Sequence, residues 1–267
     1  MSPAAVRAHG PGPDALVPGT VDPTADPQAG PEEAAGGPIP APVIDAVIPA
    51  RDEAATVAQV VAACRGCRYV RDVIVVDDGS SDATAEEARS AGARVVRLDG
   101  EGSKAHAMRA GVAATDAGAL LFADADLLGV TGAHLDAICL PFVEGRAVMS
   151  IGWFDYGPWN PVVLRLPPTT GERVLPRWVF EAVSPDQLKG YTIEFMINKV
   201  IAERGLATTA RIMNGVTHRT KRDKFGKLEG YRRTWRMFWQ LLGLPIRGVV
   251  RWRSYLHYLQ ALTVEKA

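Results

Sequence analysis

The feature that most constrains this chain is a repeated unit: a short apolar run that ends in a polar cluster, followed by a segment with helical spacing. Val43-Ile44-Asp45-Ala46-Val47-Ile48-Pro49 is the first run, and residues 53–65 after it carry Val57, Val60, Val61 and Cys64 one helical turn apart. Val73-Ile74-Val75-Val76 is the second. It meets Asp77-Asp78-Gly79-Ser80-Ser81-Asp82, whose Ser and Asp residues suit the start of a helix over 82–91. Val95-Val96-Arg97-Leu98 predicts a third strand and Ala105 to Ala114 a third helix. Ala119-Leu120-Leu121-Phe122-Ala123 is a fourth strand, ending at Asp124-Ala125-Asp126. Strands that are apolar on both faces and alternate with helices build an α/β protein with a mostly parallel central sheet, covered by helices on each side.

The rest of the chain is less regular. Residues 1–42 hold ten of the 19 prolines and few large apolar groups, so they cannot offset their ordering entropy and are expected to form a disordered tail. In the second half, Val148 to Phe154 reads as a strand and Pro158 to Pro168 as a loop. Helices are expected over 173–182 and 192–204, with a strand near 207–213. Two C-terminal amphipathic helices, about 230–242 and 246–263, close the chain. The expected division is therefore the tail at 1–42, a regular α/β half at 43–126, a less regular half of the same domain at 127–229 and basic, aromatic helices at 230–267.

Charge and cysteine content exclude some classes. Thirty Lys+Arg against 30 Asp+Glu argue against a protein that coats nucleic acid. Three cysteines cannot make a disulfide framework, and no apolar run reaches the ~20 residues a membrane span needs. With no secretory pattern at the N-terminus, the expected location is the cytoplasm, with peripheral contact at the inner membrane face as an extension.

Ligands of open parallel sheets bind at the carboxyl ends of the strands, so the polar clusters after the first, second and fourth strands should share one rim. The turn after the first strand, Pro49-Ala50-Arg51-Asp52-Glu53, lacks the Gly-x-Gly-x-x-Gly of dinucleotide sites, and no P-loop occurs. What remains is acidic. Carboxylates repel bare phosphates and suit a nucleotide only with a divalent cation between them. Asp124 and Asp126, two residues apart at a strand end, can face one ion, and Mg2+ or Mn2+ prefers such oxygen ligands. Two aspartates solvating a turn is the plain alternative.

In order and spacing, the clusters at 47–53, 75–84 and 124–126 together resemble the nucleotide-binding half of GT-A-fold glycosyltransferases, nearest to glycosyltransferase family 2 and the glucosyl-3-phosphoglycerate synthases. The resemblance implies that Pro49, Ala50 and Glu53 edge the nucleobase and that Asp77 or Asp78 contacts base or ribose. Lys104, in Gly102-Ser103-Lys104 at the start of the third helix, would meet the pyrophosphate. Asp124 would face the ribose or the metal, and Asp126 would ligate the metal. Thr170-Gly171-Glu172-Arg173 resembles the acceptor loop, which brings in Gly171 and Arg173. Gly190-Tyr191-Thr192-Ile193-Glu194 resembles a segment beside the acceptor, with Glu194 as the candidate base for an inverting transfer, or a binding group in a retaining one. In Gly215-Val216-Thr217-His218, His218 would be the third metal ligand.

The implied activity is metal-dependent transfer of a sugar from a nucleotide-diphosphate sugar to an acceptor hydroxyl or a phosphate-bearing acceptor. The alternatives are a sugar nucleotidyltransferase, whose glycine-rich loop after the first strand is missing, and a non-catalytic nucleotide-sugar-binding module. Residues 219–253 hold eleven Lys/Arg against two acidic residues, interleaved with Tyr231, Trp235, Phe238, Trp239 and Trp252. They suit a membrane surface or a phosphorylated acceptor, or simply pack on the catalytic domain. A homodimer is open. Cys64-Arg65-Gly66-Cys67 has redox spacing, but it ends a helix and has no second pair.

Overall fold

A computed structural model of the protein describes residues 42–100, 103–160, 170–184, 193–219 and 262–265. The tail at 1–41 and the stretch 220–261, which holds the first expected C-terminal helix and most of the second, lie outside the described residues.

The chain alternates as β1 (Ile44–Ala50), α1 (Val57–Arg65), β2 (Val70–Asp78), α2 (Thr84–Ser90), β3 (Arg94–Leu98), α3 (Lys104–Ala113) and β4 (Ala119–Phe122). A two-residue strand β5 (Leu127–Leu128), α4 (Gly132–Val143), β6 (Met149–Phe154), a short 3-10 turn at Gly157–Trp159, β7 (Arg173–Pro176) and α5 (Arg177–Glu181) follow. After them come α6 (Ile193–Glu203), β8 (Thr208–Met213), β9 (Thr217–His218) and β10 (Leu262–Glu265).

Eight strands form one sheet in the order β10-β8-β6-β7-β4-β1-β2-β3. β7 runs antiparallel to both its neighbours, and every other pair in the sheet is parallel. The expected mostly parallel α/β architecture is therefore present. Two apolar layers cover the sheet. Ile44, Ala46 and Ile48 pack with α1 and α4 on one face, and Val47 packs with α3, α5 and α6 on the other. Since β1, β2 and β4 are parallel neighbours, their carboxyl ends share one rim, as the sequence predicts.

Two expected elements are corrected. The helix over 173–182 is a strand followed by a helix. Pro176 cannot donate to a helical ladder and biases its predecessor to extended backbone, so α5 begins only after it. The last residues of the helix expected to reach 263 are strand instead, Leu262 pairing with Thr208.

Candidate active site

The rim is assembled by loop-to-loop bonds. The loop after β1 is stitched to the loop after β2: the Asp52 amide donates to Ser80 Oγ at 2.9 Å, the Ser81 amide to Asp52 Oδ1 at 2.8 Å, and the Glu53 amide to Thr84 Oγ1 at 2.8 Å. Pro49 and Ala50 end β1, with Ala50 level with Asp77. Asp77 is fully buried, takes the Ser80 amide at 3.0 Å and has Arg97 Nε 3.5 Å away. Asp78 is 6% exposed, with Arg51 3.9 Å from one oxygen. Its Oδ1 is buried with no hydrogen-bond partner among the described residues. A buried acceptor left open at the rim is suited to a donor brought by a ligand.

The loops after β2 and β3 meet glycine to glycine. Gly79 has φ +66, and a Cβ on it would lie 2.5 Å from Gly100 Cα, so no larger residue fits.

At the centre of the rim stands Lys104, first residue of α3. Helix α3 lies close on β1 because a Cβ on Gly111 would sit 2.4 Å from a Val47 methyl. That places the start of α3 beside the end of β4. Lys104 Nζ lies 2.6 Å from Asp124 Oδ1 and 2.8 Å from Glu194 Oε1. Burial alone would lower the pKa of Lys104, but Asp124 and Glu194 outweigh it and hold the ammonium well above the usual lysine range.

The loop before β7 completes this cluster. A Cβ on Gly171 would fall 2.4–2.6 Å from the three carboxylate atoms of Asp124, so only glycine lets Asp124 stand where Lys104 reaches it. Arg173 is fully buried, and its guanidinium donates to Asn198 Oδ1 at 3.1 Å and to the carbonyls of Glu194 and Thr170. It therefore ties the start of α6 to the loop that seats Asp124.

The Asp126 and His218 backbones are brought onto neighbouring strands by another route. β5 and β9 form a small antiparallel pair in which Leu127 faces His218, and the Arg219 amide donates to the Asp126 carbonyl at 3.0 Å. Asp126 is half-buried. The His218 ring is exposed and packs 5.4 Å, centroid to centroid, from Phe154. Arg219 Nη1 also lies 3.9 Å from Glu53, linking the late loop to the loop after β1. Among the described residues no group of three His, Cys, Asp or Glu is placed to hold a metal ion.

Sequence reasoning gave Glu172 no role and named Arg219 only as one of the basic residues after His218. Glu172 is fully buried, accepts from Thr170 Oγ1, and has its pKa raised to about 7 by burial and by neighbouring Asp124. The signal was present, a glutamate between a glycine and an arginine at the head of an apolar strand, but its neighbour across the sheet was not visible.

The sign of the resulting pH dependence follows. Between the ordinary pKa near 4.5 and the folded value near 7, the folded state keeps a proton that the unfolded chain has released. Stability is thus largest below about pH 4.5 for this group and falls as pH rises, by at most about 3 kcal/mol across that window. Urea midpoints at pH 5 and 7.5 with chelator present should show this fall, and Glu172→Gln should flatten it. A slope unchanged by that substitution would contradict the assignment.

A mostly parallel sheet of this order, with acids at its carboxyl rim and an Asp-x-Asp turn after β4, is that of the GT-A class of nucleotide-sugar glycosyltransferases. The chain matches the Glycosyl transferase family 2 model over residues 45–204 and belongs to that family. It is a nucleotide-sugar-dependent glycosyltransferase, and the nucleotidyltransferase and non-catalytic alternatives are set aside. Solved structures share its fold. The glucosyl-3-phosphoglycerate synthase of Mycobacterium tuberculosis, in complex with Mn2+, UDP-glucose and phosphoglyceric acid, superposes with a TM-score of 0.57 at 24% identity over 67% of this chain and 72% of that one. The same synthase with Mg2+ and UDP gives the same figures. A mycobacterial protein is similar at 25% identity and a TM-score of 0.57, over 67% of each chain. No curated protein matches the chain. Among the described residues no helix is long and apolar enough to cross a membrane.

Proposed function

We propose that this glycosyltransferase moves a sugar from a nucleotide diphosphate to a phosphate-bearing acceptor and does so with a divalent cation. The observation that carries the reading is Lys104, held between Asp124 and Glu194 at the start of α3, on the rim where Asp126 follows Asp124. A helix N-terminus with an ammonium is an anion seat, and the carboxylates keep that ammonium charged and in place until a diphosphate arrives.

The donor set suits a hard cation. By donor type Asp124, Asp126 and His218 suit Mg2+ or Mn2+, and they would hold the ion only after closing from the separation this structure shows. When bound, the ion would offset charge on the departing diphosphate. The chain's own residues do the remainder. Lys104 pairs with the diphosphate oxygens, and the buried edge of Asp78 with Ala50, Pro49 and Asp77 receives base and ribose. Glu194 anchors Lys104, its Oε1 accepting from the ammonium at 2.8 Å. Arg173, enclosed by Asn198 and two carbonyls, positions the loop and does not touch substrate.

The complexes of the mycobacterial synthase with UDP-glucose, phosphoglyceric acid and Mn2+ support a UDP-type donor and a phosphorylated acceptor here. The eleven Lys/Arg of residues 219–253 support the same acceptor class. The test is transfer from a panel of nucleotide sugars to small phosphorylated and unphosphorylated hydroxyl acceptors, with Mn2+ or with chelator. Product is expected with UDP-sugars and phosphorylated acceptors, and only with the cation. Equal turnover in chelator would end the metal reading, and preference for unphosphorylated acceptors would end the acceptor reading.

A further inference from the structure

The three cysteines take no part in the site. Cys64 lies in the last turn of α1, Cys67 in the turn after it and Cys139 in α4, and all three are buried at 0%, 4% and 0% exposure. The Cys-x-x-Cys spacing carries little alone, but the fold brings a third thiol to it. The turn after α1 sits directly on the start of α4: a Cβ on Gly132 would lie 2.4 Å from the Gly66 carbonyl oxygen. Arg68 fixes the register, its amide and its Nε each 2.8 Å from the Asp136 carboxylate. Asp136 and Cys139, three residues apart in α4, share a helix face. Cys67, next to Arg68, is therefore brought alongside Cys139.

We propose that Cys67 and Cys139 form a reversible disulfide that ties the end of α1 to α4, made by exchange with a low-molecular-weight disulfide, with Cys64 left reduced. The chemistry of the pair fits the division of labour. The Cys139 hydrogen bond lowers the Cys67 pKa, making Cys67 the attacking thiolate. Cys139 is pushed up by its bond to Cys67 and by burial, and Cys64 by burial first. Cys67 sulfur attacks the small disulfide RSSR, and a bond forms to one sulfur while RS− leaves. Cys139 then gives up its proton and attacks Cys67 sulfur, expelling the second RS−. Two thiols and RSSR become one protein disulfide and two RSH. α1 also reaches the site, Gln59 Nε2 donating to the Leu127 carbonyl at 2.6 Å. The bridge would thus stiffen the two helices flanking β5, which follows Asp126 and pairs with the strand of His218.

The inference is independent of the catalytic reading, and its readout is thiols. The native full chain is equilibrated with oxidised glutathione over hours, the timescale of such exchange, then unfolded and titrated. Free thiols should fall from three to one, peptide mapping should join Cys67 to Cys139, and dithiothreitol should restore all three. Cys64→Ser should still form the bridge, whereas Cys139→Ser should not. Three persisting thiols, a glutathione adduct alone, or a Cys64–Cys67 bridge would each overturn the proposal. Should Cys139→Ser fail to fold, mapping in the unaltered chain and in Cys64→Ser decides the matter.

Discussion

Asp126→Ala is expected to abolish transfer while leaving the fold intact. Cation-assisted departure of a diphosphate is worth several kcal/mol, so turnover should fall roughly 1,000-fold or more. The fold should survive because β5 is fixed by backbone bonds that alanine keeps: the Arg219 amide to the residue-126 carbonyl and the pairing with β9. Turnover with an active nucleotide sugar, a Mn2+ titration by calorimetry and a thermal melt separate these effects. His218→Ala should weaken the Mn2+ titration more than it lowers the melting temperature, the ring being exposed beside Phe154. A folded Asp126→Ala protein that turns over normally, or binds donor equally well in chelator, would remove the cation from the reading.

Much of residues 43–126 is legible because its signals are local. An apolar run followed by an acid-bearing turn needs no partner to be recognised, and neighbouring parallel strands bring all such turns to one edge. The departures occur where the deciding partner is distant in sequence. β7 has only four residues and becomes a strand because β4 and β6 leave a slot between them, Arg173 pairing with Phe122 and Ile151. α4 carries the helical period in Leu135, Ile138, Cys139 and Phe142, all facing the core. That segment drew no assignment, and Pro141 in its last turn obscures the pattern.

The same distinction governs the site. Asp124, Asp126 and Lys104 stand out because each opens or closes an element. What the sequence alone could not tell is that Lys104 is bonded to two of the other candidates, and that Gly171 makes space for a carboxylate more than 40 residues earlier. Arg173 shows the reverse: its motif reads as an acceptor-loop contact, and the fold shows it fully buried with its guanidinium bonded to Asn198.

Lys104→Met should be costly to both stability and activity, and the way the costs separate tests the cluster. Removing the ammonium leaves Glu194, 4% exposed, facing Asp124 with no cation between them. Breaking a buried ion pair costs about 3–5 kcal/mol, and the lower figure applies because Asp124 keeps a third of its side-chain surface in water. Urea denaturation should therefore show a loss of about 3 kcal/mol. Lys104→Met with Glu194→Gln should recover a good part of it, since the double variant no longer sets a buried Glu194 charge against Asp124. Activity should not recover, because the diphosphate has lost its ammonium in both variants. Mn2+ should stabilise the single variant more than the unaltered protein, the ion entering where lysine formerly balanced Asp124. A Lys104→Met protein as stable as its parent would mean the ion triad contributes nothing to the fold. Full activity in the double variant would mean that Lys104 serves the carboxylates alone, and the anion seat would have to be sought elsewhere on the rim.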